Sequence, residues 1–148
     1  MNELVVPLKQ LSNSGQMPGN AYSGDAGYDL CSTAEVTLEP FERMLVPTGL
    51  ALQIPEGYAG FVLPRSGMAI KKGLSLVNSP GLIDSNYRGE IKAILVNLDP
   101  KNPIDIHIGD RIAQLVIMKV ESVRFHQVVE LDSSCRGDGG FGSSGISQ

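Results

Sequence analysis

The sequence predicts an all-β domain, built as a sandwich, jelly roll or barrel. Short apolar or alternating segments recur along the chain, and turn residues separate them. The 17 Gly and 9 Pro residues are spread between those segments, as in strand-rich folds and unlike βαβ units. Only Ser66–Lys72 has a helical pattern, and it is long enough for about two turns.

The predicted strands follow one another at short intervals. Each is apolar or alternating, and turn signals such as Pro55-Glu56-Gly57 and Asp99-Pro100 separate them. In chain order they are residues 4–8, 34–38, 43–47, 50–54, 60–63, 74–77, 91–98, 104–108, 112–120 and 122–129.

Two of these strands, 91–98 and 112–120, carry apolar residues on both faces. One face therefore needs cover beyond a single neighbouring strand layer. Either a sandwich buries both faces itself, or one face packs against other copies of the chain. The sequence leaves both arrangements open.

Composition bounds the size and the partners of the protein. A chain of 148 residues with 42% hydrophobic residues suits one domain, which we place at residues 1–131. The 12 Lys and Arg against 16 Asp and Glu give a net charge of −4, which argues against a nucleic-acid partner. No segment has the length of a membrane span, and Cys31 and Cys135 fit neither a zinc site nor a disulfide framework. We expect a soluble, cytoplasmic protein with free thiols.

Residues 132–148 form a Gly- and Ser-rich tail that cannot bury enough surface to fold alone. The tail nevertheless contains Arg136 and Phe141. A guanidinium can pair with phosphate and an aromatic ring can stack on a base, so these residues are unusual in a simple linker.

Residues 74–92 are predicted to form a β-hairpin with an elaborated tip. The apolar run 74–77 meets the turn 78–81, and a second apolar run begins at Ile91. Asp84 and Tyr87 lie within the tip, where an acid, an aromatic ring and free backbone groups can hold a planar polar ligand. The alternative is that Asp84 only caps a turn.

The stretch Pro64-Arg65-Ser66-Gly67 lies between a predicted strand and the short helix. Amides at the helix start, the Ser66 hydroxyl and the Arg65 guanidinium, with close approach at Gly67, would hold an anion such as phosphate. The alternative is an ordinary Ser66 N-cap.

The segment 109–115 enters a strand from a turn at Gly109 and Asp110. Strict alternation places Arg111, Ala113 and Leu115 on one face and Ile112 and Gln114 on the other. The Gln114 amide then needs a hydrogen-bond partner, either a backbone group or a ligand or water. Asp110 and Arg111 are predicted to be a structural pair.

Asp25 and Asp29 lie on either side of a turn at Gly27. Such carboxylates commonly hold Mg²⁺ through water, while the ion takes its other ligands from substrate phosphates. The alternative is that both acids are turn residues. The sequence has no Walker A pattern, and no GxGxxG follows a strand and precedes a helix, so a nucleotide would bind by another route.

Five stretches, in this order, resemble the five motifs of the homotrimeric dUTP diphosphatases. They are Ala-Gly-Tyr-Asp-Leu at 26–30, Pro-Arg-Ser-Gly-Met-Ala at 64–69, Asn-Ser-Pro-Gly-Leu-Ile-Asp-Ser-Asn-Tyr-Arg-Gly-Glu at 78–90, Gly-Asp-Arg-Ile-Ala-Gln-Leu at 109–115 and Arg-Gly-Asp-Gly-Gly-Phe-Gly-Ser-Ser-Gly at 136–145. The resemblance implies a jelly-roll or distorted β-barrel with one short helix, in a homotrimer with exchanged C-terminal arms and shared active sites. It also implies hydrolysis of dUTP to dUMP and pyrophosphate, which keeps uracil out of DNA and supplies dUMP for thymidylate synthesis.

By the same resemblance, Asp84 is the general base that activates water for in-line attack on the α-phosphorus. The residues expected to hold the triphosphate are Arg65, Ser66 and Gly67. Gln114 is expected near the α-phosphate, and Asp29 is expected to reach the Mg²⁺ cofactor through water.

The resemblance assigns base reading to the hairpin of a second subunit, through Asn78, Gly81, Leu82, Ile83 and Lys92. Tyr87 is expected beneath the deoxyribose, where it excludes a 2′-hydroxyl. From the third subunit, Phe141 is expected to stack over uracil and Arg136 to pair with the γ-phosphate as the tail closes.

Asn86 departs from the Asp or Gly of many relatives, and Met68 replaces a common Leu. We expect Asn86 to tune the activity rather than to abolish it, and Met68 to be a conservative change in the core. Two other functions stay open, a dCTP deaminase of the same fold and a catalytically silent, nucleotide-binding regulatory trimer. Ammonia release from dCTP would identify the first, and nucleotide binding without turnover the second.

Overall fold

The computed structural model describes residues 3–145, and residues 1, 2 and 146–148, at the outer ends of the predicted domain and tail, lie outside that range. The described chain contains ten strands and one helix. They are β1 (Leu8–Gln10), β2 (Tyr28–Cys31), β3 (Val36–Leu38), β4 (Arg43–Leu52), β5 (Tyr58–Leu63), α1 (Ser66–Lys72), β6 (Leu74–Leu76), β7 (Gly81–Ile83), β8 (Glu90–Asn97), β9 (Ile104–Ile106) and β10 (Arg111–Lys119).

The strands form two four-stranded sheets that share one apolar core. The first sheet has the order β1-β4-β8-β6 and the second the order β2-β10-β5-β7, while β3 pairs with β9 apart from both. Every ladder is antiparallel. One core cluster includes Leu95 of the first sheet, Leu115 of the second and Leu38 of the two-stranded sheet formed by β3 and β9. Each such side chain contributes about 1.5–3 kcal/mol by burial. The all-β class with one short helix is confirmed.

Periodicity located most strands but misplaced several boundaries. The predicted strands 43–47 and 50–54 are one strand, β4, because the chain continues through Pro47 and Gly49 with a shift in its register against β8. The predicted strand 4–8 is wrong, since β1 begins only at Leu8. Residues 122–129 form no strand either, and their apolar side chains are exposed, with Phe125 at 94%.

Two strands were absent from the prediction. β2 and β7 are short, and both lie in stretches rich in turn residues, which is why the sequence predicted turns there. Each is stabilised by pairing across the second sheet, β2 with β10 and β7 with β5. Tertiary pairing has overridden the local turn preference.

The two strands that are apolar on both faces differ in how they are buried. In β8 the core face carries Ile91, Ala93 and Leu95, whereas Ile94 and Val96 on the other face are half-buried. In β10 the predicted strict alternation is wrong, because the register against β2 shifts after Arg111 and both Ile112 and Ala113 are buried.

The single helix begins and ends where the sequence predicted. Its N-cap is Arg65, with extended φ/ψ and no side-chain hydrogen bond, so the alternative of a Ser66 N-cap is wrong. Gly73 closes the helix in the left-handed conformation, with φ of 71°, and its amide bonds the carbonyls of Ala69 and Met68. Lys71 and Lys72 lie in the last turn, where positive charge interacts favourably with the helix dipole.

Candidate active site

The predicted hairpin exists, and its tip crosses from one sheet to the other. β6 pairs with β8 in the first sheet, with Leu76 opposite Leu95. Between them the chain leaves that sheet and forms β7, which pairs with β5 in the second sheet, with Leu82 opposite Phe61. Asp84 follows β7 directly and is exposed. The carboxylate is therefore presented from a loop that is anchored in both sheets.

This crossover encloses a cavity of about 420 Å³. Seven residues that the sequence singled out line it: Asn78, Gly81, Leu82, Ile83, Asp84, Tyr87 and Lys92. The cavity thus combines an acid, an aromatic ring and the backbone of a short strand, as a site for a planar polar ligand requires.

Tyr87 is held by the residues that follow it. Its hydroxyl donates to the carbonyl of Glu90 at 3.0 Å, and its ring lies against Gly89. The carboxylate of Glu90 accepts the amide of Gly49 at 3.0 Å and lies 3.4 Å from the ammonium of Lys92. Sequence reasoning missed both Gly89 and Glu90 as site residues. Their positions, two and three residues after Tyr87 in the sequence, could have identified them.

A second cavity, of about 410 Å³, lies at the start of α1. It brings together five of the residues that the sequence proposed for phosphate and metal, all except Arg136 of the tail: Asp29, Arg65, Ser66, Gly67 and Gln114. A Cβ added to Gly67 would meet no atom within 4 Å, so the surface there is open to a close-fitting group. The helix start leaves its first amides without intrahelical acceptors, which suits an anion.

Asp29 lies between two guanidinium groups. Arg65 Nε donates to Asp29 Oδ1 at 2.8 Å, and Arg111 Nη1 donates to Asp29 Oδ2 at 3.2 Å. The predicted pairing of Asp110 with Arg111 is wrong, because Asp110 instead accepts the amide of His107 at 2.8 Å. Asp29 thus holds both guanidinium groups, and of the two only Arg65 lines the second cavity, where it can pair with an anionic ligand.

Gln114 has the backbone partner that was one of its two alternatives. Its Nε2 donates to the carbonyl of Pro64 at 2.9 Å. Its Oε1 lies so close to Gly27 that a Cβ on that residue could not be accommodated without movement. The amide nitrogen is therefore held beside the start of α1, and its oxygen occupies the space left by the missing Cβ of Gly27.

Burial, followed by the nearby carboxylate of Asp29, raises the pKa of the Cys31 thiol. Cys31 is buried and Cys135 is exposed, and both are free cysteines. A buried thiol with a raised pKa stays protonated at neutral pH and is a poor nucleophile. Cys31 is thus a packing residue behind the arginine pair.

The two cavities of one chain share no lining residue. The tail joins neither of them: Arg136 and Phe141 line neither cavity, and Phe141 is fully exposed. Arg136 Nε instead donates to the carbonyl of Gly139 at 2.7 Å, within the tail. A single copy therefore keeps the three predicted parts of the site apart.

The side chains of the second cavity fit a metal ion that is bound mainly by phosphate oxygens and water. No group of three or more His, Cys, Asp or Glu side chains that could hold a metal occurs within residues 3–145. The second cavity offers two carboxylates, Asp25 and Asp29, of which Asp29 is already paired with two arginines. This suits Mg²⁺ bound by phosphate oxygens and water rather than by a protein cage.

Across residues 3–145, none of the helical structure has the length and apolar character needed to cross a bilayer.

Comparisons with known proteins agree with these features. The dUTPase family model matches residues 13–145. The deoxyuridine 5'-triphosphate nucleotidohydrolase of Rhodococcus erythropolis is 54% identical over 144 residues, covering 97% of this chain and 88% of that protein. The protein of the same name from Corynebacterium glutamicum is 52% identical over 141 residues, covering 95% of each chain.

Solved structures share the fold. The dUTPase of Staphylococcus bacteriophage 80alpha, determined with dUpNHpp, has a TM-score of 0.88 and 34% identity, covering 96% of this chain and 99% of that one. A mutant dUTPase of the S. aureus phage phi11, whose structure describes a structural Mg(II) ion, has a TM-score of 0.79 and 30% identity, with 86% and 98% coverage. With a family match over most of its length and relatives above 50% identity, this chain belongs to the dUTPase family.

Proposed function

We propose that this protein hydrolyses dUTP to dUMP and pyrophosphate. The observation that carries the proposal is the first cavity, in which Asp84 and Tyr87 stand beside the backbone of β7. The names of the curated relatives and the dUpNHpp bound by the phage 80alpha dUTPase support the choice of substrate. The resulting activity would keep dUTP from being incorporated into DNA and would supply dUMP.

Asp84 is the proposed general base. Its carboxylate takes a proton from a water molecule while the water oxygen forms a bond to the α-phosphorus in line with the leaving group. The bond from the α-phosphorus to the bridging oxygen breaks, and pyrophosphate leaves with that electron pair. General base catalysis of this kind is worth about 10²–10⁴-fold in rate. Because Asp84 lies on a loop that is anchored in both sheets, the position of its carboxylate relative to the water sets the rate.

The first cavity is the proposed site of uracil and deoxyribose. The residues proposed to hold the base are Asn78, Gly81, Leu82, Ile83 and Lys92. A buried donor or acceptor left unpaired costs about 1–3 kcal/mol, so a cytosine edge would be rejected where uracil pairs. Tyr87, 46% exposed, would lie beneath the sugar and exclude a 2′-hydroxyl.

The second cavity is the proposed site of the phosphates. Arg65, Ser66 and Gly67 would bind the triphosphate chain, and Gln114 would lie near the α-phosphate. From the sequence, Arg111 was predicted to have only a structural role. Its guanidinium, bound to Asp29, would add positive charge near the phosphates. Mg²⁺, when bound, would neutralise phosphate oxygens, and Asp29 would reach it through water.

A homotrimer is the proposed assembly. The separation of the two cavities within one chain supports sites built from several copies. The half-buried face of β8 and the exposed segment 120–131 support apolar contacts between copies, with the C-terminal arm of one chain lying on its neighbour. The tail beyond the arm would then bring Arg136 to the γ-phosphate and Phe141 over the uracil. Free thiols suit a cytoplasmic location.

The first experiment measures pyrophosphate release, with and without Mg²⁺, from dUTP, UTP, dTTP and dCTP in parallel. We expect turnover of dUTP alone, and a fall of about 10²–10⁴-fold for Asp84→Asn with binding of dUpNHpp retained. A fully active Asp84→Asn variant would remove Asp84 from the mechanism. Ammonia release from dCTP would instead establish the deaminase, and dUTP binding without turnover of any substrate would establish the regulatory trimer.

A further inference from the structure

Gly89 is packed against the aromatic ring of Tyr87. A Cβ built on Gly89 would lie 2.5 Å from Cζ of that ring and 3.0 Å from Cε2, and closer still to the hydroxyl oxygen. Separations below 3.0 Å are essentially never adopted by a real Cβ, so any side chain at position 89 displaces an atom. All three of the nearest atoms belong to the side chain of Tyr87.

The backbone gives no other reason for a glycine at this position. The described glycines that need their conformational freedom have positive φ, and Gly89 is not among them. An alanine there would be compatible with the backbone conformation itself. The space above Gly89 is therefore reserved for the ring of Tyr87.

Two further contacts fix the ring in that space. The Tyr87 hydroxyl donates to the carbonyl of Glu90, and the Glu90 carboxylate is in turn held by the amide of Gly49. The ring thus rests on Gly89 while its polar end is tied to the following residue. It lies in the wall of the first cavity.

We propose that Gly89 is a specificity-determining residue that sets the depth of the Tyr87 ring and thereby selects deoxyribose over ribose. The inference rests on the proposed function, in which Tyr87 lies beneath the sugar. With Gly89 the ring keeps the position at which it leaves no space for a 2′-hydroxyl. A methyl group at position 89 pushes the ring away, because the ring end is the movable partner and Tyr87 is 46% exposed.

The expected result is a change in selectivity rather than a loss of fold. Gly89→Ala lowers the ratio of kcat/KM for dUTP to that for UTP by about ten-fold or more, the range for steric selection of one small group. Since both substrates are measured on the same preparation, partial unfolding cancels in the ratio. Tyr87→Phe, which keeps Gly89 but removes the bond to the Glu90 carbonyl, should lower the ratio by a smaller factor.

The decisive test is a double-mutant cycle on this ratio with Gly89→Ala, Tyr87→Ala and the double variant. If Gly89 acts through Tyr87, both single variants lower the ratio and the double variant equals Tyr87→Ala. A matched control is Gly19→Ala, whose added Cβ meets nothing within 4 Å, and it should retain the wild-type ratio.

Each remaining outcome contradicts a different statement. If Tyr87→Ala lowers the ratio but Gly89→Ala leaves it at the wild-type value, the positioning role of Gly89 is wrong while the sugar contact stands. A double variant with a ratio well below that of Tyr87→Ala would also show that Gly89 acts by another route. If Tyr87→Ala itself retains the wild-type ratio, the proposed sugar contact is wrong and this inference falls with it.

Discussion

Two positions near the proposed site, Gly27 and Gly89, are occupied by glycine where a neighbouring side chain fills the space that a Cβ would need. A Cβ on Gly27 would collide with Oε1 of Gln114, just as a Cβ on Gly89 would collide with the ring of Tyr87. Neither glycine has a positive φ. Each therefore makes room for a side chain of the proposed site, one in the proposed phosphate cavity and one in the proposed sugar site.

We expect Gly27→Ala to lower kcat/KM for dUTP and UTP alike, by about 10²-fold, as is typical when one charge-stabilising donor is displaced. The ratio of the two substrates should stay unchanged, because Gln114 lines the second cavity, the proposed site of the phosphates, and Tyr87 does not. Parallel steady-state assays with both nucleotides test this. A selective loss with UTP, or wild-type rates with both, would show that Gln114 does not act on the phosphates.

At the same scale, the sequence identified the chemistry of the site better than its contacts. Asp84, Tyr87, Arg65 and Gln114 stood out because their stretches, in chain order, resemble the motifs of the dUTP diphosphatases. Singly, Asp84 and Gln114 each had an ordinary alternative, a turn cap or a backbone hydrogen bond. Arg111 was paired with the wrong acid, because Asp110 is adjacent in sequence while Asp29 is its neighbour only across the ladder of β2 with β10. Such long-range partners cannot be read from local spacing.

Among the elements, the periodic strands were predictable and the short ones were not. β8 and β10 are long and apolar, so periodicity alone located them. β7 has three residues and one exposed leucine, and its existence depends on pairing with β5. The predicted break in β4 at Pro47 did not occur, because the strand absorbs the local distortion as a register shift.

An ion pair joins the two strands of the smallest sheet near their ends. Glu35 lies just before β3 and His107 just after β9. The distance from His107 Nδ1 to Glu35 Oε2 is 2.7 Å. The hydrogen bond to Glu35 raises the pKa of His107, and the bonds from His107 and from the Ile108 amide lower the pKa of Glu35. Both side chains are more than half exposed, so the stabilisation is small.

The pH dependence of this pair follows from the two directions. The raised pKa of His107 gives stabilisation that is present below its ordinary value of 6.5 and is lost as pH rises through the folded-state pKa. The lowered pKa of Glu35 gives stabilisation that is present above its ordinary value of 4.5 and is lost as pH falls through the folded-state pKa. The contribution is therefore largest between those two values.

Glu35→Gln keeps an oxygen for the Ile108 amide and removes the charge, so it isolates the ion pair. We expect its melting temperature to fall below that of the wild type most at about pH 5.5, and by less at about pH 9 or pH 3. Thermal denaturation followed by circular dichroism across this range measures the difference. An offset that does not vary with pH would mean that the pair contributes no charge interaction.

The whole molecule exposes more apolar surface at its C-terminal end than a stable monomer usually does. Along the segment 120–131, Phe125 is 94% exposed, Leu131 89% and Val123 66%. Contiguous apolar surface of this kind is typical of contacts between chains, which the proposed homotrimer would supply. The strand that the sequence predicted at 122–129 could form only if a second copy supplied its pairing partner.

Deleting residues from Cys135 onward removes Arg136 and Phe141 but keeps this arm. We expect the shortened protein to stay trimeric in light scattering after gel filtration and to lose most of its dUTP turnover, because the tail no longer closes the site. Ending the chain at Val120 should instead give a smaller species. Full activity without the tail would exclude its role as a lid.

The crossing of the hairpin tip between the sheets has a consequence for hydrogen exchange. β6 and β8 belong to one sheet while β7 belongs to the other, so the loop that carries Asp84 cannot lift away alone. Amide protons in the ladder of β7 with β5 should therefore exchange at the rate of global unfolding rather than at the rate of a mobile loop. Denaturants or core substitutions that let the two sheets separate should then inactivate the protein. We expect activity to be lost together with the protection of these amides from exchange, and not before it.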